Sequence, residues 1–165
     1  MSSKDFKMPI FGVGPLYVVL CLILTILGLI LHFKGLITFG EFNGSKLIFK
    51  VAGVIFILFG AYLWVAAVIV KKINTSVMEK KLITDGVYAI VRNPVYTAFI
   101  FVFTGILLFT ANIILLILPC VFWLFLTVLM KMTEEKWLRN AFGEEYDIYC
   151  SEVNRVIPWF KKKKF

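Results

Sequence analysis

Residues 95–130 read VYTAFIFVFTGILLF, then TAN, then IILLILPCVFWLFLTVLM: two apolar runs without a charge, joined by three residues. So short a connection forces antiparallel neighbours, and the stretch predicts a helical hairpin of Val95–Phe109 and Ile113–Met130. At about 1.5 Å per residue the second run crosses most of a hydrocarbon layer of roughly 30 Å, and the first is short for a span. Working outward, Phe11–Phe33 and Leu47–Val70 are two further runs of spanning length. Gly53, Gly60, Ala61, Ala66 and Ala67 on the second of these leave room for a close neighbouring helix. Lys50 lies within snorkelling reach of the interface.

The rest of the composition agrees. Of 165 residues, 61% are hydrophobic and 17% charged, a balance foreign to soluble globular domains. The chain is expected to be one all-α integral membrane domain over residues 1–165, with four transmembrane helices at 11–33, 47–70, 95–109 and 113–130. A C-terminal amphipathic cytoplasmic helix should follow, because Tyr146, Tyr149, Cys150 and Val153 recur at helical spacing with Glu144, Glu145, Asp147 and Glu152 on other faces. The net charge is +8, yet the basic residues crowd the ends of apolar runs. Membrane lipid headgroups, and no nucleic acid, are therefore the expected counter-charge. Cys21, Cys120 and Cys150 form no CxxC or Cys/His pattern, so no metal site is expected.

Orientation follows from the basic residues. Only Lys34, Lys46 and Lys50 fall on one side of this arrangement, so both termini and the loop after the second span are expected to be cytoplasmic. The two long polar stretches then meet on one face. No acidic residue stands in the centre of a span, which argues against a proton-coupled carrier.

Arg92-Asn93-Pro94 opens the third span, with Asn93 placed to cap the helix and Pro94 suited to its first position. A helix N-terminus beside Arg92 is an anion site in waiting. On the other wall the fourth span is expected to run unbroken past Lys131 to Phe142-Gly143, carrying Glu134 toward the bundle and leaving Glu135 to pair with Arg139 four residues on. With Tyr88, Tyr96 and Trp137 nearby, this arrangement suits a zwitterion with a positive centre, of which S-adenosylmethionine is one. His32, the one histidine, reads as a plain interfacial residue.

Five segments fall in a recognisable order: Leu82-Ile83-Thr84-Asp85-Gly86-Val87-Tyr88, Arg92-Asn93-Pro94-Val95-Tyr96, Glu134-Glu135 with Leu138, Phe142-Gly143-Glu144-Glu145-Tyr146, and Arg155-Val156-Ile157-Pro158. In order and spacing the chain resembles the integral-membrane methyltransferases that include isoprenylcysteine carboxyl methyltransferases and phospholipid N-methyltransferases. The resemblance implies S-adenosyl-L-methionine as cofactor and a lipophilic small molecule, lipid or prenylated compound as acceptor. It puts Lys80, Lys81, Leu82, Ile83, Tyr88, Asn93, Pro94, Val95, Tyr96 and Glu134 at cofactor-contacting positions, and Arg92, Glu134 and Glu135 in catalytic ones. Asn93 stands where many members have histidine. Met130 stands where isoprenylcysteine enzymes carry an arginine one turn before the glutamate, with Lys131 beside it. These two are the residues expected to face the acceptor, and the lost arginine favours a small lipophilic or lipid-amine acceptor over a prenylated carboxylate. Two other readings stand beside this one: a membrane reductase related to sterol reductases, and a non-enzymatic four-helix membrane protein.

Overall fold

The computed structural model describes residues 13–73 and 82–159, with residues 70–73 as backbone only. Among these, the chain is helical: α1 Gly14–Phe33, α2 Leu47–Ile73, α3 Pro94–Leu108, α4 Ile117–Met132, α5 Glu134–Phe142 and α6 Glu144–Glu152, with a single 3-10 turn at Gly86–Ala89. Gly14–Phe33, Leu47–Ile69 and Ile117–Phe142 are each long and apolar enough to cross a membrane, and α3 is a shorter apolar helix. Pro15 in the first turn of α1 and Pro94 at the head of α3 sit where a missing N–H costs nothing.

The hairpin forms, with a wider turn than the sequence suggests. Residues 113–116 belong to the turn, and α4 begins at Ile117. Asn112 organises this end. Its Nδ2 donates to the carbonyls of Ile37 at 3.1 Å and Phe39 at 3.4 Å, and its Oδ1 accepts the Ile114 N–H at 2.9 Å. Phe42 donates its N–H to the Ala111 carbonyl at 2.9 Å, so the 34–46 loop is pinned to the hairpin turn. His32, in the last turn of α1, is also drawn into this end, its Nδ1 3.7 Å from the Glu41 carboxylate and its side chain mostly covered.

The expected unbroken helix from Lys131 to Phe142 is corrected by the structure. Thr133 leaves helical geometry at φ −126°, ψ −90°, its hydroxyl donating back to the Leu129 carbonyl at 2.6 Å. Such back-bonding competes with the helix ladder and bends it. Beyond this break the chain resumes as α5, a separate nine-residue helix.

The tightest seam lies between α2 and α3. A Cβ on Gly53 would stand 2.8 Å from the Gly105 carbonyl oxygen, and one on Gly60 would stand 2.7 Å from that of Ala98. Small residues allow the backbones to touch where lipid supplies no hydrophobic driving force between helices. On the other side of α3, Tyr17, Cys21, Phe103, Leu107, Phe122, Leu126 and Met130 form the main buried cluster with Val156.

Val156 belongs to a return segment after α6. Val91 and Asn154 make a parallel bridge, the Arg92 N–H donates to the Asn154 carbonyl at 2.9 Å, and the Trp159 N–H to that of Ile90 at 3.2 Å. Thr97 Oγ1 donates to the Val156 carbonyl at 2.8 Å. Within α6, Tyr146 and Tyr149 are buried with Leu82 and Val153, while Glu144, Glu145 and Asp147 are exposed. Loop 82–93, α5, α6 and the return segment therefore gather at one end of the bundle, opposite Asn112.

Candidate functional site

Glu134 opens α5 immediately after the break at Thr133, and it is half-buried. The Tyr96 hydroxyl, from the first turn of α3, donates to Glu134 Oε1 at 2.8 Å. This bond joins the two motif segments across the mouth of the bundle. Tyr17 of α1 stands edge-on to the Tyr96 ring, with centroids 6.0 Å apart and planes at 78°.

Glu135 does something different. It is 6% exposed and does not pair with Arg139, whose Nε instead meets Asp147 Oδ1 at 2.7 Å on the surface. The partners of Glu135 are Arg155, through Nε to Oε1 and through Nη2 to Oε2 at 2.9 Å, and Arg92, whose Nη1 lies 3.3 Å from Oε1. A buried carboxylate needs such company, since an isolated charge there would be costly. The bond to Glu135 holds the Arg155 guanidinium above its ordinary pKa. Arg92 also donates to Cys150 Sγ, and its side chain is 8% exposed. The anion site expected from Arg92 beside the α3 N-terminus is thus not formed by that side chain, which is spent on Glu135 and Cys150.

Asn93 occupies the cap position of α3, yet its side chain makes no capping bond. Its Nδ2 donates to the Arg155 carbonyl at 3.0 Å, and its backbone N–H reaches the same oxygen at 3.2 Å. The residue thereby stitches the helix start to the return segment. Tyr88 is fixed from the other side, its carbonyl accepting the Tyr149 hydroxyl at 2.6 Å. Burial pushes the Tyr88, Tyr146 and Tyr149 phenols above their ordinary pKa.

Of the remaining expected site residues, Pro94 is buried, and Tyr88 and Val95 pack against Leu63, Val87 and Ala98. Leu82 is buried under α6, and Ile83 is half-buried. Lys80 and Lys81 lie outside the described residues. Met130, expected to face an acceptor, is 0% exposed and packs in the main core. It faces inward on the stripe of α4 that also buries Phe122 and Leu126 at four-residue spacing, while Lys131 beside it is exposed. The structure brings together Tyr96, Glu134, Glu135, Arg92 and Asn93, and withdraws Met130. The sequence placed Arg155 in a motif segment and Tyr149 on the apolar face of the C-terminal helix, but gave neither a place in the site. The membership of Arg155 in a motif segment was the available signal, while i,i+4 spacing pointed to Arg139 instead.

Comparison with known proteins places this geometry. A family model described as phospholipid methyltransferase matches residues 48–145. The chain is 36% identical over 78 residues to a protein-S-isoprenylcysteine O-methyltransferase of Schizosaccharomyces pombe, covering 47% of this chain and 33% of that one. It is 32% identical over 84 residues to a probable protein-S-isoprenylcysteine O-methyltransferase of Oryza sativa, covering 50% and 44%. It is 33% identical over 76 residues to methanethiol S-methyltransferase 1 of Bradyrhizobium diazoefficiens, covering 46% and 26%. The chain thus spans less than half the length of these curated relatives. No solved structure matches it. The family match takes in more than half the chain, from α2 through the start of α6, and includes both walls joined by Tyr96 and Glu134: the chain belongs to the phospholipid methyltransferase family.

Proposed function

We propose that this chain transfers a methyl group from S-adenosyl-L-methionine to a lipophilic or membrane-embedded acceptor at the cytoplasmic mouth of the bundle. In this reading α1, α2, α3 and α4 are the four spans, both termini are cytoplasmic, and α6 lies on the membrane surface with its tyrosines inward. The observation that carries it is the Tyr96–Glu134 pair, a half-buried carboxylate and a phenol brought together from two motif segments.

The donor set fits a cationic methyl donor. A carboxylate flanked by aromatic rings attracts a sulfonium or ammonium through charge and through the ring quadrupoles. When bound, the donor supplies an electrophilic methyl group, and the transfer is an in-line displacement. The chain's tasks are then to align the partners and to exclude water. Glu134 and Tyr96 hold the cation, Tyr88 and the first turn of α3 form the adjoining wall, and the return segment with α6 closes the water side. Glu135 has both oxygens engaged by Arg155 and so acts through position. A thiolate or carboxylate acceptor needs no base. An ammonium acceptor must first lose a proton, and Glu134 is the carboxylate placed to take it. We assign the acceptor to the small lipophilic or lipid-amine class on the sequence alone, since Met130 stands where the isoprenylcysteine enzymes carry an arginine.

Calorimetric titration of the purified protein with S-adenosylmethionine, S-adenosylhomocysteine and NADPH tests the proposal. Both adenosyl ligands should bind, NADPH should not, and Glu134→Gln should weaken donor binding by about 1–3 kcal/mol as a charge-assisted bond is lost. Binding of NADPH alone, or an unchanged isotherm for the folded variant, overturns the assignment.

A further inference from the structure

α1 lies ahead of the family match and carries none of the five motif segments, yet its first turn touches the site. Gly14, the first residue of α1, is buried and lacks the positive φ that usually explains a glycine. The reason for glycine here is space. A Cβ on Gly14 would stand 2.3 Å from the Tyr96 hydroxyl oxygen, 2.5 Å from its Cε1 and 2.8 Å from its Cζ. The first turn of α1 and the tip of the Tyr96 ring thus occupy adjoining volume, with no room for a methyl group between them.

One turn further, Tyr17 closes the other side. Its ring meets Tyr96 edge-on, and it has little freedom to yield: its hydroxyl donates to the Phe122 carbonyl at 3.1 Å, and its ring stacks on Phe125 with centroids 5.7 Å apart. Tyr96 is therefore held between a helix backbone at Gly14 and a locked ring at Tyr17. Its hydroxyl rests on Glu134.

From this geometry we infer that Gly14 and Tyr17 are positioning residues, through which α1 fixes the Tyr96 phenol on the Glu134 carboxylate. The inference rests on the reading of that pair as the cation-binding element of the site. A methyl group at position 14 meets the far end of a side chain, so the ring gives way and the helices stay. With the phenol displaced, the carboxylate loses the Tyr96 hydrogen bond and the cation its aromatic wall.

Two measurements on the full chain in detergent or nanodiscs test this. The first needs no ligand: with carbon-13 at the tyrosine Cζ, Gly14→Ala and Glu134→Gln should each move the Tyr96 resonance, identified by its loss in Tyr96→Phe, and Tyr17→Leu should broaden or shift it. The second is a double-mutant cycle on S-adenosylhomocysteine binding. Gly14→Ala should raise Kd about tenfold with the melting temperature held, and should have no further effect in a Tyr96→Ala background, because coupled neighbours are non-additive. An unmoved resonance in Gly14→Ala, or an equal added penalty in both backgrounds, overturns the inference. If the resonance moves while Glu134→Gln leaves ligand binding intact, the placement of Tyr96 by α1 stands and the assignment of the site to a cation fails.

Discussion

Arg155 grips Glu135 with two donors of its guanidinium, Nη2 meeting Oε2 at 2.9 Å, and so ties the return segment to the helix that carries Glu134. Arg92 approaches the same carboxylate from the start of α3. Three segments distant in sequence share one buried anion.

Removing that anion should therefore cost stability before it costs chemistry. Glu135→Gln leaves two guanidinium groups without their counter-charge, and we expect a loss of about 3 kcal/mol, read as a lowered midpoint in thermal unfolding. Arg139→Ala breaks only the exposed pair with Asp147 and should leave the midpoint where it is.

Alkaline pH should unlock the same end of the molecule. The phenols of Tyr88, Tyr146 and Tyr149 are raised above their ordinary value by burial. The unfolded chain thus sheds these protons near pH 10 while the folded chain keeps them. Stability should be intact below pH 10 and fall as pH rises beyond it. Ultraviolet titration of tyrosinate should show these residues ionising late and together with unfolding. Tyr149→Phe, which loses the bond to the Tyr88 carbonyl, should lower stability by about 1 kcal/mol.

At the seam between α2 and α3, bulk is the enemy. Gly105→Val introduces a Cβ 2.7 Å from the Gly53 carbonyl oxygen, and the helices must part to admit it. A penalty of about 1–3 kcal/mol is expected, with a lower thermal midpoint. An unaltered midpoint would show that the seam is looser than its geometry.

The far end offers a control. Asn112→Ala removes the bonds to Ile37, Phe39 and Ile114 and should cost about 1–3 kcal/mol of stability. Under the proposed function, methyl transfer per folded molecule should stay at the wild-type rate, since the candidate site lies at the opposite end.

Orientation can be read with single cysteines in a cysteine-free background. Asn43 and Ser151 are both exposed at opposite ends of the bundle. A membrane-impermeant maleimide added to intact cells should modify Asn43→Cys and spare Ser151→Cys. The reverse pattern would put the site on the wrong face for a cytoplasmic methyl donor.

The features legible in the sequence were those written in local pattern. The hairpin followed from two apolar runs and a three-residue link, and the helix seam from Gly53 and Gly60. Thr133 was not legible as a break, because threonine sits inside helices elsewhere in this chain with the same back-bond, as Thr25 and Thr104 do. Glu135 was matched with Arg139, a cation four residues on along a helix, when Arg155 twenty positions away holds it. Asn93 was placed correctly at the head of α3, but the direction of its amide depends on a carbonyl that only the folded return segment brings near. Gly14 carried no pattern at all, for the reason that its meaning is the absence of a side chain opposite Tyr96.

The return segment also sets an order in time. Residues 154–159 are synthesised after every helix of the bundle, and they supply the carbonyls that receive the N–H groups of Arg92 and Asn93 and the hydroxyl of Thr97. While the spans are entering the bilayer, those groups have no permanent acceptor. Closure of the mouth can therefore follow only once residues 154–159 have been made, and a chain cut before Asn154 would carry the bundle helices without the carbonyls that seal the start of α3.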